Sequence, residues 1–349
     1  MRNLGSIQLL IFVMKDQKSK TIQRYRDNLL ELGYSFFKPR VLITATKLDI
    51  FNTLGEATMS ASETASRLGL DQNATETFLN ALVSLGLLMR DNGAYSNTEE
   101  GKELFITGKE EYIGDIIKLQ DTMWNSWSML QESITSGKPT RKPDMFQEKR
   151  EETRIFIRAM HNTAMTNAPH VSKIINLSGY KTLIDIGGGP GTYSVNFCKE
   201  NKELKSTILD LPGTLEITKE LISLTDVSDR ITLMEGDFNK NIDGNYDVAF
   251  LSNIIHCLGE EENSALIERV YNALNVGGMM VIQDFIMTDE KTSPPFPALF
   301  SLNMLLFTEN GKSYSFKEIE HWLNAAGFQN LERVCTTLPR SISLLIGKK

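Results

Sequence analysis

A strand that runs directly into four glycines limits this chain more than any other feature. Leu183 to Ser194 reads LIDIGGGPGTYS. The apolar residues of TLIDI spell a buried strand. Gly187, Gly188, Gly189 and Gly191 then let the backbone turn tightly and let a ligand approach the main chain. A helix from Gly191 would present free N–H groups at its start. Strand, glycine turn and helix in this order belong to an open α/β sheet.

The rest of 181–349 keeps that alternation. STILDL is a second strand and leads into a helix through Leu224. ITLMEGD is a third strand. YDVAFLS is a fourth, followed by a helix from Glu260 to Leu274. GGMMVIQDF is a fifth, Phe316 to Ala326 is a helix, and Leu331–Thr336 and Ser341–Ile346 read as two last strands. The pattern predicts an α/β fold, a Rossmann-like doubly wound, seven-stranded sheet, mostly parallel, with helices on both faces.

The N-terminal part reads differently, as a mostly α domain. Val41 to Leu54 carries one broad helical stripe. Ser60 and Glu63 form an S-x-x-E capping box. Asp71 caps the next helix, Gly86 ends it, and LLMR-DNG-AYS reads as a hairpin. Three helices and a hairpin are the winged-helix order. The helix that would enter a DNA groove, Asn73 to Leu85, holds no Lys or Arg, and base and phosphate contacts need those side chains. The net charge of −7 also argues against nucleic acid as a partner. A scaffold or dimerisation module is the better reading. We expect three parts: 1–110, 111–180 as a helical linker contributing to a substrate pocket, and 181–349.

Three scattered cysteines and four histidines without metal-ligand spacing predict neither a disulfide framework nor a metal site. No apolar stretch is long enough to span a bilayer, so the expected location is cytoplasmic. Ile7 to Met14 is a short apolar run without a following small-residue cleavage site. It reads as an extended translation start or as an arm that packs on a partner subunit.

Acids sit at the ends of three consecutive strands, on the crevice where open sheets bind ligands. Asp185 precedes the glycines, where it could accept from an ammonium group. Asp210 could accept both hydroxyls of a ribose, and Asp237 an adenine amino group with Phe238 against the ring. The dinucleotide spacing GxGxxG is not followed, since Thr192 and Ser194 stand where its last glycine would be. His256, after the fourth strand, could be a satisfied structural histidine or a proton acceptor. Cys257 beside it could be a nucleophile, although adjacent residues at a strand end usually point apart.

With these motifs in view, the chain resembles class I S-adenosylmethionine-dependent methyltransferases. More narrowly, it resembles the small-molecule O-methyltransferase family of caffeate-type, hydroxyindole-type and bacterial polyketide or carotenoid enzymes. The resemblance runs from Val41 to the C-terminus and rests on the winged helix, DIGGGPG, LDLPG, GDF and SNIIHCLGEEE…LNVGGMMVIQD. It implies a homodimer joined through the N-terminal domain. It implies S-adenosylmethionine as cofactor, held by Asp185, Gly187, Gly188, Gly189, Asp210, Leu211, Asp237, Phe238 and Ser252. It makes His256 the catalytic base and Asp284 an acid that flanks it. Four positions depart from the family pattern. Cys257 and Leu258 replace an acid and an aromatic, Ser313 stands where a second flanking acid is expected, and Ser252 stands where a Lys lies near the cofactor.

Trp124, Trp127, Phe156, Met160, His161, Met304 and Phe307 are the candidates for an apolar acceptor pocket. The expected activity is methyl transfer from S-adenosylmethionine to a hydroxyl on a hydrophobic or aromatic small molecule. The alternatives are an adenosylmethionine-binding relative that runs hydroxylation or decarboxylation, and a ligand-sensing winged-helix regulator. Methylation of a protein or of RNA fits the acidic chain and apolar pocket less well.

Overall fold

The structure, a computed structural model, describes residues 4–141, 147 and 149–349, with side chains from residue 17 onward. The chain divides into two compact units, Met1–Tyr112 and Ile113–Lys349. No helix among the described residues is long and apolar enough to cross a membrane.

The first unit opens with a long helix, α1 (Leu4–Tyr34), followed by α2 (Phe37–Lys47) and α3 (Ile50–Leu54). The run Ile7–Met14 lies in α1, but its side chains fall outside the described residues, and so does the expectation that they form an arm. The single helix expected over Val41–Leu54 is two. Asp49 takes a left-handed φ of 60° between them, which no continuous α-helix tolerates. The strand β1 (Met59–Ser60) and the helices α4 (Ala61–Leu68), α5 (Gln72–Ser84) and α6 (Glu99–Phe105) complete the unit with the hairpin β2 (Leu88–Asp91) and β3 (Ala94–Asn97).

The capping signals work as predicted. Ser60 Oγ accepts from the Glu63 N–H, and Glu63 Oε2 accepts from the Ser60 N–H at 2.8 Å. Asp71 Oδ1 accepts from the Ala74 N–H at 2.8 Å. Asn92 and Gly93 both have positive φ, 47° and 80°, as a two-residue hairpin turn requires. β3 lies between β1 and β2, so the wing is three-stranded.

Asn97 is fully buried and donates through Nδ2 to the carbonyls of Phe51 and Gly55, both at 2.9 Å. It ties the end of α3 to the hairpin. Asn97→Ala leaves both carbonyls without that donor. The expected cost is about 2 kcal/mol, read as a lowered urea midpoint for this unit.

The second unit opens with the helices α7 (Gly114–Ser128), α8 (Leu130–Ser136) and α9 (Arg150–Ile174). The α/β part follows as β4 (Thr182–Ile186), α10 (Thr192–Glu200), β5 (Lys205–Asp210), α11 (Pro212–Ile222), β6 (Ile231–Glu235), β7 (Tyr246–Ser252), α12 (Glu260–Ala273) and β8 (Leu274–Asp284). The helices α13 (Pro295–Phe307) and α14 (Phe316–Ala326) precede β9 (Gln329–Cys335) and β10 (Ser343–Lys348). The sheet order is β6-β5-β4-β7-β8-β10-β9. The first five strands are parallel, and β10 runs antiparallel to both neighbours. This is the seven-stranded, mostly parallel sheet that the alternation predicts.

Strand periodicity divides the core between the two faces. Ile184, Ile186, Ala249, Leu251, Met280 and Ile282 pack toward α12 and α14. Leu183, Val248, Phe250 and Val281 pack against Ala164, Ala168 and Val171 of α9 and against Phe197 of α10. The long helix α9 therefore belongs to the sheet's own core. It covers one face and also packs on α7, α10 and α11.

Candidate active site

Register brings the site together. Ile186 pairs with Leu251, and Leu251 pairs with Ile282. The carboxyl ends of β4, β7 and β8 are thus level, and the residues just beyond them share one edge. Asp210 pairs with Glu235 at the ends of β5 and β6 and extends that edge.

The glycine turn fills the space over β4. Gly187, Gly189 and Gly191 have φ of 62°, 53° and 75°, a region that other residues enter only with strain. A Cβ on Gly187 would lie 2.4 Å from Ile254 Cδ1 and 3.3 Å from Phe238 Cε1. A Cβ on Gly191 would lie 2.7 Å from Ile208 Cδ1. At Gly189 the nearest atom is 4.0 Å away, so this side of the turn is open.

Asp185 does not face that open side. It is 1% exposed and lies beneath Gly188, whose added Cβ would meet its carboxyl group at 2.7–3.0 Å. The Ser194 hydroxyl donates to Asp185 Oδ2 at 2.6 Å, and Ser206 donates to Ser194 Oγ at 2.8 Å. Burial pushes the Asp185 carboxyl up to about 7, against the Ser194 hydrogen bond and with added repulsion from Asp210. Direct acceptance from a ligand ammonium was expected of Asp185. This geometry makes it a buried prop for the turn instead.

Asp210 does face the crevice. Its Oδ2 accepts from the Gly189 N–H at 2.8 Å and its Oδ1 from the Leu211 N–H at 2.7 Å. Burial raises its pKa, and those two backbone N–H groups oppose the rise. Asp237 is half-buried, with Oδ1 accepting from the Asn239 N–H at 3.0 Å and Lys240 Nζ 3.4 Å from Oδ2. Phe238 packs on the core beside Gly187. Ser252 Oγ accepts from Gln283 Nε2 at 2.8 Å and from Asn253 Nδ2 at 3.1 Å, and Gln283 Nε2 also reaches the Tyr193 hydroxyl at 2.8 Å.

His256 stands on a short turn after β7, 6% exposed. Its Nδ1 meets Asp284 Oδ1 at 2.7 Å. A carboxylate only accepts, so Nδ1 carries the proton. Asp284 Oδ1 also accepts from the Phe285 N–H at 2.7 Å, while Oδ2 is buried and unpartnered. Burial alone would lower the His256 pKa. The Asp284 charge, aided by the sulfur of Cys257, outweighs it and holds the pKa well above the ordinary value.

Three aromatic residues absent from the predicted pocket enclose this pair. Phe300 meets the imidazole edge-on at 4.8 Å, and Phe285 lies parallel to it at 6.0 Å. Phe296 contacts both phenylalanines, at 5.0 and 5.9 Å. The i, i+4 spacing of Phe296, Phe300 and Met304 on a Pro-led helix marked one face of α13, and that signal was available in the sequence.

The predicted pocket residues fall on three helices, α7, α9 and α13. Met304 and Phe307 follow Phe300 on α13, and Trp127 Nε1 donates to Asn303 Oδ1 at 3.0 Å, which joins α7 to that helix. Trp124 lies on α7, and Phe156 and Met160 lie half-buried on α9. His161 is also on α9. Its Nδ1 lies 2.8 Å from Thr192 Oγ1 at the start of α10, beside the glycine turn. Burial, then the nearby Arg158, lowers its pKa.

Two family models match the chain: an O-methyltransferase dimerisation domain over residues 30–106 and an O-methyltransferase domain over residues 133–329. The chain belongs to the O-methyltransferase family. It is 29% identical over 329 residues to the 3-hydroxy-5-methyl-1-naphthoate 3-O-methyltransferase of Streptomyces sahachiroi, covering 92% of this chain and 94% of that protein. It is 28% identical to the tetracenomycin polyketide synthesis 8-O-methyl transferase of Streptomyces glaucescens, covering 92% and 96%. The structure of human N-acetylserotonin methyltransferase in complex with S-adenosylmethionine shares the fold, with a TM-score of 0.85, 24% identity and coverage of 94% of this chain and 98% of that one.

This O-methyltransferase is S-adenosylmethionine-dependent, and its turn fits the cofactor. The open face at Gly189 admits a ligand to the backbone. The Asp210 carboxylate, steadied by two N–H groups, keeps lone pairs for a diol. Asp210→Ala removes that acceptor and frees the Gly189 N–H. Cofactor affinity is expected to fall at least about tenfold, one charge-assisted hydrogen bond's worth, in titration calorimetry, with the far-UV spectrum unchanged.

Proposed function

We propose that this methyltransferase transfers the methyl group to a hydroxyl on a hydrophobic aromatic small molecule, with His256 as general base and Asp284 as its support. The carrying observation is the buried 2.7 Å pair of His256 and Asp284, on the same sheet edge as the glycine turn and walled by phenylalanines. Two relatives named for a naphthoate and for polyketide synthesis support an aromatic acceptor. Asp210 would take the ribose hydroxyls, Asp237 and Phe238 the adenine, and Ser252 and Leu211 would line the cofactor's path.

When bound, S-adenosylmethionine supplies an electrophilic methyl on a sulfonium that leaves as a neutral thioether. The protein's share is alignment and a place for the proton. A phenol of pKa near 10 facing an imidazole near 6.5 gives an uphill transfer of about 5 kcal/mol. Asp284 narrows that gap by raising the imidazole's basicity. With Nδ1 held by Asp284, Nε2 is the nitrogen that would receive the acceptor's proton as the methyl moves. The phenylalanines exclude water and hold the acceptor ring with its hydroxyl toward Nε2.

His256→Ala is expected to keep cofactor binding and to lower turnover at least about 10²-fold, the low end for loss of a general base. The sign of the pH dependence follows from the raised pKa. The base is inactive while protonated, so the acid limb of kcat/KM lies above the ordinary histidine value. Asp284→Asn should move that limb to lower pH and depress the plateau. A limb that stays in place in Asp284→Asn removes Asp284 from the proton transfer. Cofactor consumption without a methylated product would favour the non-methylating alternative.

We also propose a homodimer. Within the first unit Ile22, Tyr25, Leu29, Leu30 and Leu32 of α1 and Phe36 and Phe37 at the start of α2 are all exposed. A contiguous apolar surface of this kind marks an interface, and this region overlaps the matched dimerisation domain. Light scattering after size exclusion should give twice the chain mass. Tyr25→Glu with Leu29→Glu should give the monomer.

A further inference from the structure

The loop between β9 and β10 returns to the same sheet edge. Ser343 pairs with Asp284, so the residues just before Ser343 lie beyond the carboxyl end of β8, on the side of His256. Thr336 Oγ1 donates to the Ile342 carbonyl at 2.5 Å and accepts from the Leu338 N–H at 3.1 Å, which closes the loop. Arg340 and Ser341 at its tip both hold left-handed φ, 61° and 58°. Two consecutive non-glycine residues in that region are strained, and such strain persists where the surroundings fix it.

The strain aims one cation. The Arg340 guanidinium carbon lies 5.7 Å from the centroid of the Phe296 ring. Phe296 stacks toward Phe300 at 5.9 Å, and Phe300 meets His256 at 4.8 Å. Among the described residues Arg340 has neither an ion pair nor a hydrogen bond, unlike Arg154 with Glu220 or Arg333 with Glu320. The residue is exposed overall, yet crowding around its guanidinium lowers its pKa, with no carboxylate opposing that. An aromatic row thus runs from the base to an arginine with all its donors free. One face of a fused-ring acceptor suits the row, and the far end suits an anion, since a guanidinium binds carboxylate through paired N–H groups.

We infer that Arg340 is a specificity-determining residue that binds a carboxylate at the far end of an aromatic acceptor whose hydroxyl meets His256. The inference rests on the proposed methyl-transfer reading for the reaction at His256, but carboxylate binding can be tested apart from it. The acceptor class is an aromatic hydroxy acid with the two groups at opposite ends of the ring system.

The probes are 6-hydroxy-2-naphthoate, its methyl ester and 2-naphthol, offered to the full-length protein with S-adenosylhomocysteine for binding and with labelled S-adenosylmethionine for turnover. The wild type should bind the acid at least about tenfold more tightly than the ester, the scale of a hydrogen-bonded charge. Arg340→Met should abolish that preference by raising KM for the acid, with kcat and the ester's KM little changed. Arg340→Lys should restore part of it. Equal affinity of the wild type for acid and ester overturns the inference, as does failure to bind the acid. An equal loss for both probes in Arg340→Met also overturns it, since Arg340 would then only brace Phe296. A preference for the acid without methyl transfer to any probe would uphold the inference and sink the methyl-transfer reading. Transfer to 2-naphthol without a preference for the acid would do the reverse.

Discussion

The parallel register of β4, β7 and β8 is the constraint on which the rest depends. Because Ile186, Leu251 and Ile282 are level, the chain leaves all three strands on one plane. The glycine turn, Ser252, His256 and Asp284 meet there without any long-range folding of loops. A one-residue slip of β8 would turn Asp284 to the other face and leave His256 buried without a counter-charge. The buried runs on both faces of each strand make such a slip costly, since every apolar residue would change neighbours. Catalytic geometry is thus a by-product of core packing, and sheet stability and site alignment share one set of contacts.

Three acids on this edge show how burial and hydrogen bonding assign different tasks to one residue type. Asp185 is sealed under Gly188 with a hydroxyl donor, and its pKa rises to about 7. A carboxyl that is easily protonated and has no open face suits a structural prop. Asp210 is only partly buried, and it takes one backbone donor from the glycine turn, at Gly189, and one from its own neighbour Leu211. Asp284 spends one oxygen on His256 and on the Phe285 N–H and leaves the other without a donor. With so few hydrogen bonds to spread its charge, its field falls mainly on the imidazole. That matters because Ser313, where a second acid was expected, is buried and its hydroxyl is unpartnered. Its N–H donates to Ser301 Oγ at 3.1 Å, so it supports α13. Asp284 is therefore the carboxylate that pairs with the imidazole here.

Much of this was legible in the sequence, for identifiable physical reasons. The strands YDVAFLS and TLIDI have hard edges, a polar or glycine residue at each end of an apolar run, and their bounds match the pattern. Ser60, Asp71 and Ser315 cap helices through side-chain chemistry that acts within three residues, so local text suffices. The misses came where tertiary contact decides. The stripe over Val41–Leu54 had the right period, but Asp49 breaks it through a backbone angle that composition does not encode. His161 shares an apolar face with Phe156 and Met160, and only the fold shows that Thr192 comes up against it. Phe285 was hidden because it follows the strand's last acid and reads as more strand. Arg340 lies more than eighty residues from His256, and only the antiparallel return of β10 brings it over Phe296.

That return sets the chemistry at the far wall of the pocket. β8 ends at Asp284 and β10 begins opposite it, so the connecting loop must pass over the catalytic edge whatever its sequence. A loop of small polar residues would close the site. This one places a guanidinium over Phe296 at the cost of two left-handed residues. Phe296 in turn packs on Phe285 and Phe300, the two rings that touch His256. Arg340 and His256 thus lie at the two ends of one row of rings, Arg340 over Phe296 and His256 against the edge of Phe300.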